Sequence, residues 1–304
     1  MKKIPILIDT DPGVDDFFCL AIGCAFPDLF DLRAVTTIGG NNSTDVTTRN
    51  ALDILKLFHR EDVTVSSGAD RFLMNEFGEP VAKFHGINGL GNVDIPHTQK
   101  EKDPRKAWDR IHDEALACKG ELVVVTVGPE TNLALALQKY PDLKHLIRKI
   151  TVMGGSLTTG NVSEYAEANL WHDAEAARIV FDSGIPIDMI GLNVTRKAPL
   201  KRSIFDGLTD IREDVKDVME RLIDFRNEEA MHDAIAIATL VDDDIMIWRK
   251  THTSVIDGED VRRGMSLTDD TKEPNSRVAE EIDIERYYDV MRRMISQYTE
   301  KPVR

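Results

Sequence analysis

Short apolar runs alternate with longer amphipathic ones along this chain, a pattern that predicts strands and helices in turn. Ile4-Pro5-Ile6-Leu7-Ile8 reads as a buried strand and residues 17–26 as a helix. The alternation recurs at 32–38 then 46–58, at 121–127 then 132–138, at 149–153 then 174–181, and at 186–190 before a further helical stretch. It predicts an α/β fold, a mainly parallel central sheet flanked by helices on both faces. In such folds ligands bind beyond the carboxyl ends of the strands. Residues 200–226 form a charged helical stretch suited to a small cap, and an apolar helix follows at 234–240. The tail from Trp248 reads as a few strands and a final helix over 284–298. No repeat, low-complexity run or linker interrupts the pattern, so residues 1–304 are expected to form a single domain.

Composition narrows the ligand. A net charge of −15 repels phosphate backbones and anionic lipid surfaces, so no nucleic acid and no membrane is expected as a partner. A small neutral or cationic molecule fits better. Cys19, Cys24 and Cys118 are odd in number and lie in apolar helical surroundings, which suggests reduced core residues rather than disulfides or a zinc site. The first apolar run is cut by Asp9 after five residues, too short for a signal peptide. A cytoplasmic location is the expectation.

The chemistry gathers where the strands end. Asp9-Thr10-Asp11-Pro12-Gly13-Val14-Asp15-Asp16 places four carboxylates between the first strand and its helix. Like charges at this density repel, and burying one costs several kcal/mol or more without compensation. Pro12 and Gly13 impose a shaped turn rather than a loose one, so a divalent cation is the natural counter-charge. All-oxygen ligands favour calcium or magnesium over zinc. Gly39-Gly40-Asn41-Asn42, Gly128-Pro129-Glu130-Thr131-Asn132 and Gly154-Gly155 follow three other strands and should converge on Asp11. Residues 70–96, with Phe84-His85-Gly86, lack periodicity and suggest a functional loop over the site.

His232-Asp233 is a second ionisable pair placed directly before an apolar helix. With Asp11 and Asp16, Asp233 gives three negative charges, a balance suited to Ca2+. Glu167 and Asn169 alternate in a polar segment, so both side chains fall on one side of an extended chain and suit a polyhydroxylated ligand. No nucleophile elbow, Walker loop or dinucleotide fingerprint is present.

These motifs, together with Thr48-Arg49-Asn50-Ala51, Met153-Gly154-Gly155 and Gly160-Asn161, run in order over about four fifths of the chain. In that order they resemble the inosine-uridine preferring nucleoside hydrolases, and within them the bacterial ribonucleoside hydrolases that accept purine and pyrimidine nucleosides. The resemblance implies a Rossmann-like nucleoside hydrolase fold and a calcium ion held by Asp11, Asp16, Asp233 and the main-chain carbonyl of Val127. It implies that Asp15 and Asn169 bond the ribose 2′- and 3′-hydroxyls, that Asn161 and Glu167 grip the 5′-hydroxyl end, and that Met153 packs on the sugar. Asn41 would help position the water, Asp11 would act as base, His232 would give a proton to the leaving nucleobase, and His85 would contact substrate. The reaction implied is hydrolysis of the N-glycosidic bond in nucleoside salvage, by a homodimer or homotetramer.

The sequence departs from the family where Ala234 replaces the usual Pro after His-Asp and Ala168 an aromatic between Glu and Asn, and neither removes a ligand. Phe225-Arg226-Asn227-Glu228-Glu229, expected near the nucleobase, resembles the family poorly. Two rival readings remain. Asp9-Thr10-Asp11 also fits a magnesium-dependent haloacid dehalogenase-type phosphatase with Asp242-Asp243-Asp244 as a later motif, and a non-catalytic ribose or nucleoside binder could use calcium structurally.

Overall fold

The computed structural model describes residues 2–299. Among these described residues nine strands form one sheet: β1 (Ile4–Thr10), β2 (Phe30–Thr37), β3 (Thr64–Ser67), β4 (Leu122–Thr126), β5 (Ile147–Met153), β6 (Ile187–Ile190), β7 (Met246–Val255), β8 (Ser266–Asp269) and β9 (Ser276–Ile282). Their order is β3-β2-β1-β4-β5-β6-β9-β7-β8. The first seven in that order run parallel, and β7 and β8 complete the sheet antiparallel.

The central strands are continuous apolar runs because helices cover both faces. Ile6 and Ile8 of β1 face one core with Val123 and Val125 of β4, while Leu7 and Val124 face the other. On the first face lies the helix Val14–Ala25, buried along all twelve residues, which packs against the helix His232–Val241. A helix apolar all round belongs inside a molecule. The helices Ala107–Cys118, Thr131–Lys139 and Ala174–Phe181 cover the opposite face.

The predicted strand and helix alternation is the one observed, with ends displaced by a few residues. The sequence did not anticipate β3, the helix Ala107–Cys118 or the short helix Ala168–His172, and the last replaces the extended chain expected to carry Glu167 and Asn169. The expected cap divides into a 3-10 turn, Arg202–Phe205, and an amphipathic helix, Glu213–Phe225, while the loop over 70–96 contains the short helix Ala82–His85. Cys19 and Cys24 are buried free thiols, and Cys118 is half-buried rather than in the core. The crossover reverses direction between β1 and β4. That switch point opens a crevice at the strands' carboxyl ends.

Candidate active site

Two helix starts build the floor of this crevice. Gly13 is the N-cap of the helix Val14–Ala25, and Asp16, three residues on, reaches back so that its Oδ2 accepts the Gly13 N–H at 2.8 Å. The same carboxylate accepts from Thr10 Oγ1, the Asp11 N–H at 3.2 Å and Asn41 Nδ2 at 3.2 Å. Asp233 lies in the first turn of the helix His232–Val241. First-turn carboxylates face the positive end of the helix dipole, which offsets part of their mutual repulsion. Carboxylate oxygens of Asp15, Asp16 and Asp233 lie within 4.8 Å of one another, all three residues buried.

Asp11 joins them from the end of β1. Its Oδ2 accepts the Asn41 N–H at 2.8 Å, while its Oδ1 is buried with no hydrogen-bond partner, as is Asp15 Oδ1. Close backbone approach makes this possible: a Cβ on Gly40 would stand 2.3 Å from Asp11 Oδ2, and one on Gly128 2.7 Å from Oδ1. Burial, followed by repulsion from Asp16, pushes the Asp11 carboxyl well above the usual range. Burial, then Asp15, Asp16 and Asp11, does the same to Asp233; burial and Asp15 raise Asp16 to about 6. Asp15 is the exception. Burial pushes it up, but the opposing charges of Arg226, His85 and His232 outweigh burial and bring it below its ordinary value. Orphaned, mutually repelling carboxylate oxygens with no amine or sulfur donor among them fit a hard divalent cation.

The three other strand exits converge here as expected, and Asn41, Val127 and Met153 all line one cavity of about 650 Å³. Asp15, His85, Asn161, Glu167, Asn169, His232 and Asp233 line it too. Asp11 and Asp16 sit just beneath, tied to Asn41. Asn41 Nδ2 donates to the Asp11 carbonyl at 3.1 Å, so Asn41 orients two carboxylates. Asn169 Nδ2 donates to the Val127 and Met153 carbonyls at 3.0 and 3.1 Å, which turns its amide oxygen toward acceptor duty. Glu167 caps the helix Ala168–His172, accepting from the Asn169 and Leu170 N–H groups and from that of Gly155. Burial still raises it to about 7.

The histidines differ from a simple acid reading. Val14 N–H donates to His85 Nδ1 at 3.2 Å, so that nitrogen carries no proton and Nε2–H is the tautomer that can donate. His232 Nδ1 shares a 2.7 Å hydrogen bond with Thr195 Oγ1. Burial, the main influence on both, lowers each to about 4, so near pH 7 each imidazole is neutral and donates a hydrogen bond rather than carrying an extra proton.

Phe84 and Arg226, from the loop expected over the site and the segment expected near the nucleobase, also line the cavity, and so does Arg196, which the sequence reading did not name. Arg196 donates to the Thr159 and Gly160 carbonyls and so pins the loop that carries Asn161. A lone arginine in a charged segment carries no periodic signal, and only the turn after Phe225 brings Arg226 inward.

The deciding observation is that the family model for inosine-uridine preferring nucleoside hydrolases matches residues 6–289. The chain belongs to that family. This nucleoside hydrolase is 31% identical over 310 residues to the pyrimidine-specific ribonucleoside hydrolase RihA of Salmonella typhi, with 97% of this chain and 99% of that one covered. Its structure is similar to a purine-preferring ribonucleoside hydrolase from Gardnerella vaginalis, at 30% identity and a TM-score of 0.90, covering 96% of this chain and 98% of that one. A plant nucleoside hydrolase is similar to the same degree, with a TM-score of 0.90 at 28% identity over 99% of this chain and 100% of that one. The nucleoside hydrolase is therefore an N-glycosidase acting on ribonucleosides, and its buried acidic cluster is that of a metal-dependent enzyme.

Proposed function

We propose that this enzyme is a calcium-dependent ribonucleoside hydrolase that releases ribose and free base from both purine and pyrimidine nucleosides in cytoplasmic salvage. The observation that carries the reading is the set of mutually repelling, unpartnered carboxylates at the floor of a cavity sized for one nucleoside. Asp11, Asp16, Asp233 and the Val127 carbonyl are the proposed ligands, and the spacing of Asp15 from Asp16 and Asp233 puts Asp15 within reach of the same charge. A bound calcium would balance the carboxylates and lower the pKa of water at the site. Asp11 takes the proton from the attacking water, which Asn41 helps to place. Asp15, Asn169, Asn161 and Glu167 hold the ribose hydroxyls, Met153 packs on the sugar, and His85 and His232 face the base.

Breaking the N-glycosidic bond passes through an oxocarbenium-like ribose, as in glycoside hydrolysis. An acidic, preorganised pocket lowers the energy of that developing positive charge. Relatives named for pyrimidine and for purine preference are similar to this chain at nearly equal identity, which supports a broad base range. We further propose that residues 1–304 act as one domain and assemble as a homodimer or homotetramer, which light scattering would measure.

The test is calcium-loaded protein mixed with inosine, uridine and p-nitrophenyl phosphate, followed for ribose, base and phosphate. Ribose and base should appear from both nucleosides, phosphate should not, and chelation should stop the reaction until calcium is restored. Inactivity on every nucleoside, with Asp11→Ala binding nucleoside as well as wild type, would overturn the reading in favour of a non-catalytic binder. Phosphate release would favour the phosphatase, which the family match disfavours.

A further inference from the structure

Arg226 is the conspicuous charge in the pocket wall that the reaction above leaves unused. Its side chain is only 7% exposed, and its Nε is buried without a hydrogen-bond partner. Among the described residues its one ion pair is with Glu229, Nη2 to Oε2 at 3.2 Å, and that glutamate side chain is 56% exposed. A pair with one partner in water contributes about 1 kcal/mol or less, whereas sealing a guanidinium from water costs several. The exposed pair therefore does not account for its burial; the compensating charge is that of Asp15 within the site, whose carboxyl Arg226 lowers more than any other group does.

The chain also takes a strained path to put it there. The helix Glu213–Phe225 ends at Arg226, and the next two residues, Asn227 and Glu228, both adopt left-handed backbone, with φ of 50° and 57°. Two consecutive non-glycine residues in that region cost of order 1 kcal/mol or more each, and such strain concentrates at functional sites. Phe225 is anchored against Gly91, where a Cβ would meet its ring at 2.9 Å. Phe84 covers the guanidinium, whose carbon lies 5.7 Å from the ring centroid. Arg226 then lines the cavity beside His85, His232 and Asp15, above the sugar-facing floor.

We propose that Arg226 is a catalytic residue that stabilises the departing nucleobase. This deepens the hydrolase reading and rests on it. When the C1′–N bond breaks, its electron pair leaves with the base, water oxygen bonds to C1′, and the water proton goes to Asp11. The base departs as an anion, hydrogen-bonded by the guanidinium, and takes up a proton from solvent on release; Asp11 returns its proton to solvent. Arginine is suited to this because it presents planar, charged donors and does not deprotonate in proteins. The Arg226 side chain and the His85 and His232 imidazoles line the same part of the cavity, so a guanidinium donor and neutral imidazole donors stand beside charge that exists only as the bond breaks.

The experiment compares wild type, Arg226→Gln and Arg226→Lys holoenzymes on uridine and inosine and on p-nitrophenyl β-ribofuranoside, whose phenolate leaves without help. Gln should lower kcat on both nucleosides by about a hundredfold, the scale of losing one transition-state donor. On the nitrophenyl riboside the loss should stay within about tenfold, on the same scale. Lys should restore part of the nucleoside rate, and inhibition by ribose should be unchanged in both variants. Equal losses on the two substrate classes, or no loss, would overturn the proposal. Should the variants fold poorly, wild type alone decides: 5-nitrouracil, an anion at neutral pH, should inhibit more tightly than neutral uracil, and equal inhibition would overturn the proposal. Wild type inactive on nucleosides would instead remove the hydrolase reading itself.

Discussion

Asp9 is sealed at the end of β1, where burial pushes its carboxyl up to about 7 against lowering hydrogen bonds from Thr36 and Asn132. Asn132 is the keystone of that arrangement. Its Nδ2 donates to Asp9 Oδ1 at 2.9 Å and to the Thr37 carbonyl at 3.0 Å, and its Oδ1 accepts the Ala69 N–H at 3.0 Å. One amide thus joins β1, β2 and the segment after β3 beneath the metal cluster. Asn132→Leu conserves volume but orphans the Ala69 N–H and removes one bond each from Asp9, still held by Thr36, and from the Thr37 carbonyl, still held by the Gly68 N–H, so stability should fall by about 1–3 kcal/mol, read from the midpoint of urea unfolding. A change below about 0.5 kcal/mol would show that the partners find substitutes. The aspartate octad was legible at this scale because repulsion within one turn is a local property of sequence. The proximity of Asp233 was not, since no local pattern states which two helices will pack together; charge balance made it a candidate ligand, and the family resemblance added support. The resemblance placed the segment that carries Arg226 near the nucleobase but gave that arginine no role.

Among elements, the strand exits did the work of prediction. Glycine and asparagine after three apolar runs pointed to one sheet edge, and Asn41, Val127 and Met153 do meet there. Of the elements that stayed hidden, β3 and the helix Ala107–Cys118 did so for physical reasons. β3, Thr64-Val65-Ser66-Ser67, has one apolar residue, and it is a strand because β2 pairs with it. The helix Ala107–Cys118 buries Ala107, Ile111 and Ala115, so its core stripe is mostly alanine and reads as weakly amphipathic. Strand order past β6 was equally unreadable, because β9 inserts between β6 and β7. A buried carboxylate holds that junction: Asp188 on β6 receives Arg277 of β9 at 2.6 and 2.8 Å and Lys149 of β5 at 2.6 Å. Asp188→Ala leaves two cations facing each other across the sheet and should cost about 2–4 kcal/mol. Asp188→Ala with Arg277→Met should recover part of that loss; equal stability of the single and double variants would mean that β9 is placed by packing alone.

Taken as a whole, the molecule buries more acid than its fold can neutralise, and this sets how stability depends on pH and metal. Burial raises Asp16 from 3.8 to about 6, Asp9 from 3.8 to about 7 and Glu130 from 4.5 to about 8. In the unfolded chain these groups ionise at their ordinary values. Between the ordinary and raised values the folded chain therefore binds more protons than the unfolded one, and stability falls as pH rises. Below about pH 4 that loss is absent; it develops from about pH 4 through 8, the window these groups span. A divalent cation held by Asp11, Asp16 and Asp233 would reverse the effect for those raised carboxylates, because it would bind the ionised, folded site and not the unfolded chain. Burial lowers His85, His172 and His232 from 6.5 to about 4 and so works against the carboxylates between those values. Metal-free protein should thus show a melting temperature whose decline is steepest between about pH 6.5 and 7.5, whereas the increment in Tm on adding calcium should grow from pH 4.5 to 7.5. Glu130 separates metal from burial. It is wholly buried, bonded by Thr126 Oγ1 at 2.7 Å with its other oxygen unpartnered, and outside the ligand set. Glu130→Gln should flatten part of the metal-free decline, with most benefit near pH 8, and leave the calcium increment as it was. A metal-free Tm that is flat or rising between about pH 6.5 and 7.5 would mean that the buried carboxyls ionise on folding without penalty, and the cation would then have no repulsion to relieve.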